Sequence, residues 1–428
     1  MDENSPPKPT GRRSHPNESP MPLATRRLPY STGVWDRDEI DAVVRVLEGP
    51  PEGLLIGPHV EAFEERVAAL FGKSFGVMCN SGSSALYLAV ELLELEPGDE
   101  ILTSPLTFST DLAPMLRAGL VPVFVDVEED TFQVDVNQLE AMISDRTKAI
   151  LIPNLTGNAP DWDRIREIAD RHDLQVIEDS CDALGAELRG TPTGTRADIS
   201  VTSFANAHII TAMGTGGMVC LDDSRLRDKC LLLRRWGRRS EVQMFGSKRG
   251  QDRNFWEDLD GTRYDNLFIF DLPGWNFEPS EVSAAFGLEQ LKKLPKNHAR
   301  RERSFGMLRG TLERHPTLFM PPRTTAELRT AWHCFCFIIR PSAGFERADM
   351  QSYLEERGIS TRTVWTGNAA RQPMMEGARF REPTAGLPNA DQVMERGMLV
   401  SMNHGFDDDD IQYICDHIEG FVASRAGR

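Results

Sequence analysis

Seven short apolar runs between residues 75 and 220 constrain this chain more than any other feature. They are Phe75–Met78, Glu100–Thr103, Pro122–Asp126, Ala149–Ile152, Leu174–Glu178, Ser200–Phe204 and Gly217–Cys220. A run such as Ala149-Ile150-Leu151-Ile152 offers water no polar position, so it is buried on both faces. Helical stretches separate the runs, among them Ser83–Leu93 and Arg164–Asp173. Strands covered on both sides and alternating with helices predict a mainly parallel sheet of the α/β class. Ligands of such sheets collect beyond the carboxyl ends of the strands. Most polar motifs of this chain fall there.

The pattern changes after Pro279. A long helical stretch, Glu281–Leu294 and then Ala299–Arg314, leads into a smaller α+β unit with strands at Cys334–Arg340 and Thr361–Val364. The expected division is a disordered or extended tail over 1–28, rich in Pro, Ser, Asn and Arg; a large domain over 29–295; and a small C-terminal domain over 296–428. The net charge of -17 argues against nucleic acid or an anionic membrane surface as a partner. Asp407-Asp408-Asp409-Asp410 reads as a helix start or a solvated face. Seven scattered cysteines, with no secretory leader and no long apolar run, point to a reducing, cytoplasmic compartment without a membrane span. Cys334 and Cys336 sit in Trp332–Ile339, which alternates like a strand. Their thiols face one side, which favours packing over metal binding.

Three motifs carry chemistry. Asn80-Ser81-Gly82-Ser83-Ser84-Ala85 joins a strand to a helix. Gly82 permits close backbone approach, and the amides of a helix start can hold phosphate; a plain Ser-capped turn fits the same residues. Val176-Ile177-Glu178-Asp179 ends a strand on two carboxylates, and one there can hydrogen-bond a protonated pyridine nitrogen. The third motif is Thr202-Ser203-Phe204-Ala205-Asn206-Ala207-His208, followed by Met213-Gly214-Thr215-Gly216-Gly217. Phe108 can stack on a ring, although core packing is the default for such a residue. Strand, acid and a small-residue turn with a hydroxyl together grip a phosphorylated pyridine ring. A lysine that bonds the cofactor normally completes the set. Here His208 stands in its place. The chain has eight lysines, at positions 8, 73, 148, 229, 248, 292, 293 and 296, and none follows a strand end in an equivalent turn.

These motifs, in this order, resemble the sugar aminotransferase/dehydratase family, built on the pyridoxal phosphate-dependent aspartate aminotransferase fold (type I). The resemblance covers nearly everything from residue 30 to 425. More narrowly, the chain is similar to the sugar 3-dehydratases, such as CDP-4-keto-6-deoxyglucose 3-dehydratase, that carry histidine instead of the bonding lysine. Glu178-Asp179-Ser180-Cys181-Asp182-Ala183-Leu184-Gly185, Thr361-Arg362 and Gly367-Asn368-Ala369-Ala370-Arg371-Gln372-Pro373 carry that likeness. It implies a phosphate held by the amides of Gly82 and Ser83 and the hydroxyl of Ser203. It implies Phe108 against the ring, Asp179 on the pyridine nitrogen, and Asp182 where related aminotransferases carry glutamine. Asn276 would reach the phosphate from a second subunit of a homodimer, and Asn368 and Arg371 would lie near the substrate. His208 would be the base.

Two departures stand out. Trp236–Phe245 lacks cysteines, and none occurs between Cys230 and Cys334, which argues against an iron–sulfur cluster and its reductase partner. Val400-Ser401-Met402-Asn403-His404-Gly405 is less apolar than the family's stretch, which suggests an unusual substrate. The expected activity is a lyase. Non-covalent pyridoxamine or pyridoxal 5′-phosphate assists removal of a hydroxyl beside the ketone of a nucleotide-linked keto-sugar, in deoxysugar or natural-product biosynthesis. Glutamate would restore the cofactor's amine; an unknown electron donor or oxygen would serve otherwise. A nucleoside-antibiotic sugar is an alternative substrate. A sugar aminotransferase with a lysine from elsewhere and a non-catalytic cofactor-binding or regulatory protein are alternative functions.

Overall fold

The computed structural model describes residues 26–251 and 256–426; most of the expected tail lies outside them. At the centre is a seven-stranded sheet of β1 (Phe75–Cys79), β2 (Glu100–Thr103), β3 (Val121–Phe124), β4 (Thr147–Pro153), β5 (Gln175–Asp179), β6 (Ile199–Ser203) and β7 (Gly217–Leu221). Their spatial order is β1-β7-β6-β5-β4-β2-β3. Only β7 runs against its neighbours, β1 and β6; the other pairs are parallel. Each of the seven apolar runs is a strand of this sheet. Alternation within a run divides it between two layers. Ala149 and Leu151 pack with Ile101, Ile177 and Val201, whereas Ile150 and Ile152 pack with Leu102, Val123 and Val176. Burying each Ile, Leu or Val contributes about 1.5–3 kcal/mol, so one polar substitution in β4 disrupts one layer.

Five helices position the site. α1 (Pro58–Leu70), α2 (Gly82–Leu92), α3 (Ser109–Arg117) and α4 (Trp162–Arg171) belong to the sheet's flanks, and α5 spans Glu281–Glu313. α4 buries the stripe Trp162, Ile165, Ile168 and Ala169, and the chain leaves it through Asp173 at φ 51°. α5 is continuous through Pro295, at which the sequence pattern breaks. An internal proline removes an amide donor and costs about 3 kcal/mol. Buried anchors on both sides offset this: Phe286, Gln290 and Leu294 before it, His298, Arg301 and Phe305 after it. At the start of α5, the Glu281 carboxylate accepts the backbone N–H groups of Gly57, His59 and Val60 at 2.8–3.0 Å, capping α1 from a distance.

A second, antiparallel sheet contains β8 (Phe319–Met320), β9 (Phe335–Ile339), β10 (Thr361–Arg362) and β11 (Gly397–Val400), ordered β8-β9-β11-β10. Phe335, Phe337 and Ile339 enter its core with Val400, Ile414 and Phe421. Cys334 and Cys336 face the other side together, their sulfurs 3.6 Å apart and buried. The acidic run opens helix α6 (Asp408–Ala426). Asp407 accepts the Asp410 N–H at 2.8 Å, and Asp408 pairs with Arg300 and Arg303. At the N-terminal end, Leu28 is buried and bridges Ile359. Among the described residues no helix is long and apolar enough to cross a membrane.

Candidate active site

The ends of β4, β5 and β6, the β1–α2 turn and the approach to β9 enclose a cavity of about 320 Å³. Gly82, Ser83, Phe108, Asp179, Asp182, Ser203 and His208 all line it, joined by Tyr30, His333 and Trp365. Asn276, Asn368 and Arg371 do not. Asn276 is exposed and bridges Arg235. Asn368 is buried with its amide donating to Asp391 at 2.7 Å, and Arg371 pairs at the surface with Asp391 and Glu382.

One end of the cavity is built for an anion. Ser81 caps α2 by accepting the Ser84 N–H at 3.1 Å. The amides of Gly82 and Ser83 open the helix and have no intrahelical acceptor. A Cβ at Gly82 would lie 2.5 Å from Ser203 Cβ and 2.9 Å from its Oγ. Only glycine lets the helix start meet the end of β6. The Gly-Gly stretch backs this turn: a Cβ on Gly217 would lie 2.2 Å from the Ser81 carbonyl oxygen. Thr215 donates to the Asn80 carbonyl at 2.6 Å. Two free amides and the Ser203 hydroxyl, brought together without side-chain bulk, fit a phosphate.

The strand-end carboxylates part company because β5 alternates. Glu178 turns into the interior, where Asn154, Ser180 and Ser200 donate to it at 2.7, 2.6 and 2.9 Å. Asp179 turns to the cavity and accepts the Cys181 N–H at 2.9 Å. Asp111, in the first turn of α3, is fully buried against Asp179 and takes a hydrogen bond from Thr107. Burial pushes Asp111 well above the usual carboxylate range, and the Asp179 charge pushes it further. Burial also raises Asp179, while hydrogen bonds from Cys181 and Asp111 oppose the rise.

His208 follows β6 through a turn in which its N–H donates to the Ala205 carbonyl at 3.0 Å. Its Nδ1 lies 3.8 Å from Asp182 Oδ1, and His333 Nδ1 lies 3.7 Å from the same oxygen. Neither Nδ1 has a hydrogen-bond partner in the protein. Burial holds the His208 imidazole down at about 4; a hydrogen bond to the Cys181 backbone opposes this and Arg301 reinforces it. Burial raises Asp182 to about 8 although the Thr156 N–H donates to it at 3.0 Å. Near neutral pH the cluster is therefore two neutral imidazoles around a carboxylic acid. Its ligand atoms lie within 4.8 Å of one another, a spacing that suits a metal ion. However, the Arg301 guanidinium, bonded to the carbonyls of Trp332 and His333 at 3.1 and 2.8 Å, depresses both histidines and opposes an added cation. Among the described residues no lysine lines the cavity; Lys73, Lys229, Lys292 and Lys293 pair with Asp222, Glu94, Glu289 and Glu39.

Sequence reasoning missed four residues here. His333 opens the alternating stretch before β9, and its place at a strand end was the available signal. Asp111 looks like any acid in a first helical turn. Tyr30 gives no sign, and Trp365 reaches the cavity from a strained φ of 41° that no pattern announces.

Comparison with known proteins identifies the family. The model of the DegT/DnrJ/EryC1/StrS aminotransferase family matches residues 35–419. The chain is 36% identical over 400 residues to the dTDP-4-dehydro-2,6-dideoxy-D-glucose 3-dehydratase of Saccharopolyspora spinosa, covering 90% of this chain and 85% of that protein. It superposes with a TM-score of 0.81 and 29% identity on the E. coli GDP-4-keto-6-deoxy-D-mannose-3-dehydratase with bound hydrated PLP, covering 91% of this chain and 98% of the other. A structure of GDP-4-keto-6-deoxymannose-3-dehydratase with a trapped PLP-glutamate geminal diamine gives the same TM-score and identity, over 91% of this chain and 99% of that one.

Proposed function

Because the chain belongs to the DegT/DnrJ/EryC1/StrS aminotransferase family, we propose that it is a dehydratase using non-covalent pyridoxamine or pyridoxal 5′-phosphate. Its substrate is a nucleotide-linked keto-sugar, from which it removes the hydroxyl beside the ketone. The observation that carries this reading is His208 in the cavity, a neutral imidazole whose Nδ1 has no partner, with no lysine among the described residues lining the same cavity. The names of the similar dehydratases support the substrate class.

The anion end, with Gly82, Ser83 and Ser203, would hold the phosphate. Phe108, half-exposed at the cavity mouth, would cover the ring, and Asp179 would pair with its nitrogen. When bound, the cofactor supplies an amine for the ketone and a ring that accepts electrons as the hydroxyl departs. His208 acts as base in the form it already holds, neutral and desolvated. Having taken a proton, it is next to Asp182 and His333, and the charged imidazole, disfavoured by burial, readily returns its proton to the departing oxygen. Tyr30, Trp365 and His333 wall off water. Glutamate would restore the amine that each turnover consumes, leaving as 2-oxoglutarate. A second copy of the chain supplies Asn276, which is flanked by exposed Phe268, Phe270 and Trp275; such an apolar strip suits a homodimer interface. We place the enzyme in the cytoplasm and assign the large domain to the cofactor.

The test incubates purified protein with cofactor, glutamate and dTDP- or GDP-linked 4-keto-6-deoxy-sugars and follows product mass. Replacement of the hydroxyl by hydrogen, a net loss of one oxygen with glutamate converted to 2-oxoglutarate and ammonia, is expected and is abolished by His208→Asn. Borohydride trapping followed by peptide mapping is expected to label no lysine. A labelled lysine, or a product that has gained an amine, refutes the reading in favour of a sugar aminotransferase.

A further inference from the structure

The first turn of α3 presents two groups to the same edge of the cavity. Phe108 precedes the helix, and Asp111, three residues on, donates its N–H to the Phe108 carbonyl at 3.1 Å. Asp111 has no contact with water and lies against Asp179. One of its oxygens is satisfied by Thr107, and the other, Oδ1, has no partner unless a proton lies between the two carboxyl groups. Two carboxyl groups in a buried site do not both ionise; they share a proton. We propose that Asp111 is a positioning residue, a carboxylic acid that donates to Asp179 and fixes which oxygen of Asp179 is turned toward the ring nitrogen of the cofactor. This rests on the function proposed above, and nothing in that function requires it.

The charge balance explains why the arrangement suits the site. Facing the pair are the Cys181 thiol and the Asp182 carboxyl after β5 and the Thr107 hydroxyl before α3. No arginine or lysine lines the cavity among the described residues. With Asp111 protonated, the pair carries one negative charge on Asp179, and that charge matches a single protonated ring nitrogen. Without the donor, Asp179 keeps the N–H and the thiol of Cys181 and loses the carboxyl partner. Its own protonation then competes with its pairing to the ring.

The experiment compares wild type, Asp111→Ala, Asp111→Asn and Asp179→Asn. Each is titrated with pyridoxal 5′-phosphate to obtain its dissociation constant. The ring-nitrogen NMR signal of isotope-labelled cofactor is then followed against pH. Losing a hydrogen bond to a charged group is expected to weaken retention about ten-fold in Asp111→Ala. It also shifts the pH at which the ring nitrogen loses its proton. Asp111→Asn keeps a donor and is expected to stay within about three-fold of wild type. Its ring-nitrogen titration matches wild type, an outcome that packing alone does not predict. If Asp179→Asn weakens binding while Asp111→Ala matches wild type in both readouts, the role of Asp111 is overturned and the function stands. If wild type itself does not retain the cofactor, both are overturned.

Discussion

Replacing Asp182 by Asn measures how much stability the protein gives up to hold a carboxylic acid beside His208. Asp182 is 7% exposed, and burial lifts it from an ordinary 3.8 to about 8. The unfolded chain titrates near the ordinary value. Between the two values the folded protein holds a proton that the unfolded chain has released. The contribution of this group is therefore complete at acid pH and is lost as pH rises through about 8, at about 1.4 kcal/mol per pH unit. An amide has no proton to lose, and its oxygen still accepts the Thr156 N–H, 3.0 Å away in wild type. Between pH 5 and pH 7, Asp182→Asn is thus expected to gain about 2.7 kcal/mol on wild type. Other buried carboxyls, Glu178 and Asp111 among them, are common to both proteins and cancel. Urea unfolding of cofactor-free protein at pH 5, 6 and 7 supplies the comparison. A stability difference that is constant with pH, or that narrows as pH rises, refutes the assignment of a protonated acid at this position.

Two further outcomes follow from the same geometry. Because the His208 imidazole is held at about 4, the acid limb of kcat/KM should fall near that pH and not near 6.5; a pH–rate profile with a limb near 6.5 contradicts a buried neutral base. Gly82→Ala drives a methyl to 2.5 Å from Ser203 Cβ, an overpacking cost of about 1–3 kcal/mol, and should lower both melting temperature and phosphate retention. Ser203→Ala should not rescue it, because the clash is with Cβ, whereas Ser203→Gly should recover part of the melting temperature; full recovery by Ser203→Ala contradicts the close approach.

The features legible in the sequence were those whose cause is local. β4 is a strand because four consecutive apolar residues have no polar face to turn outward, and Gly82 stands where a helix start meets a strand end. Helix α5 runs on through Pro295, where the sequence pattern breaks, for the opposite reason. The local cost of proline is visible in the sequence, whereas the compensating burial of Leu294, His298 and Arg301 depends on partners elsewhere in the chain. The same limit divides the site. Asp179, Ser203 and His208 are marked by strand ends, but His333, Tyr30 and Trp365 arrive from segments more than a hundred residues away. Asn368 and Arg371, singled out by resemblance, have their polar groups committed to Asp391 and Glu382. Neither lines the cavity.

The exchange at position 208 does more than remove a covalent tether. Asp111, Asp179 and Asp182 crowd one buried region, and a phosphate adds further negative charge. So much charge is not sustained away from water, and protons must take up the excess. An ammonium group at position 208 would hold Asp182 ionised by direct attraction. Burial keeps the proton on Asp182 and off the imidazole, so neither group brings a charge to the other. A site of this kind suits proton removal and return, and position 208 offers no amine to bond the cofactor to the chain.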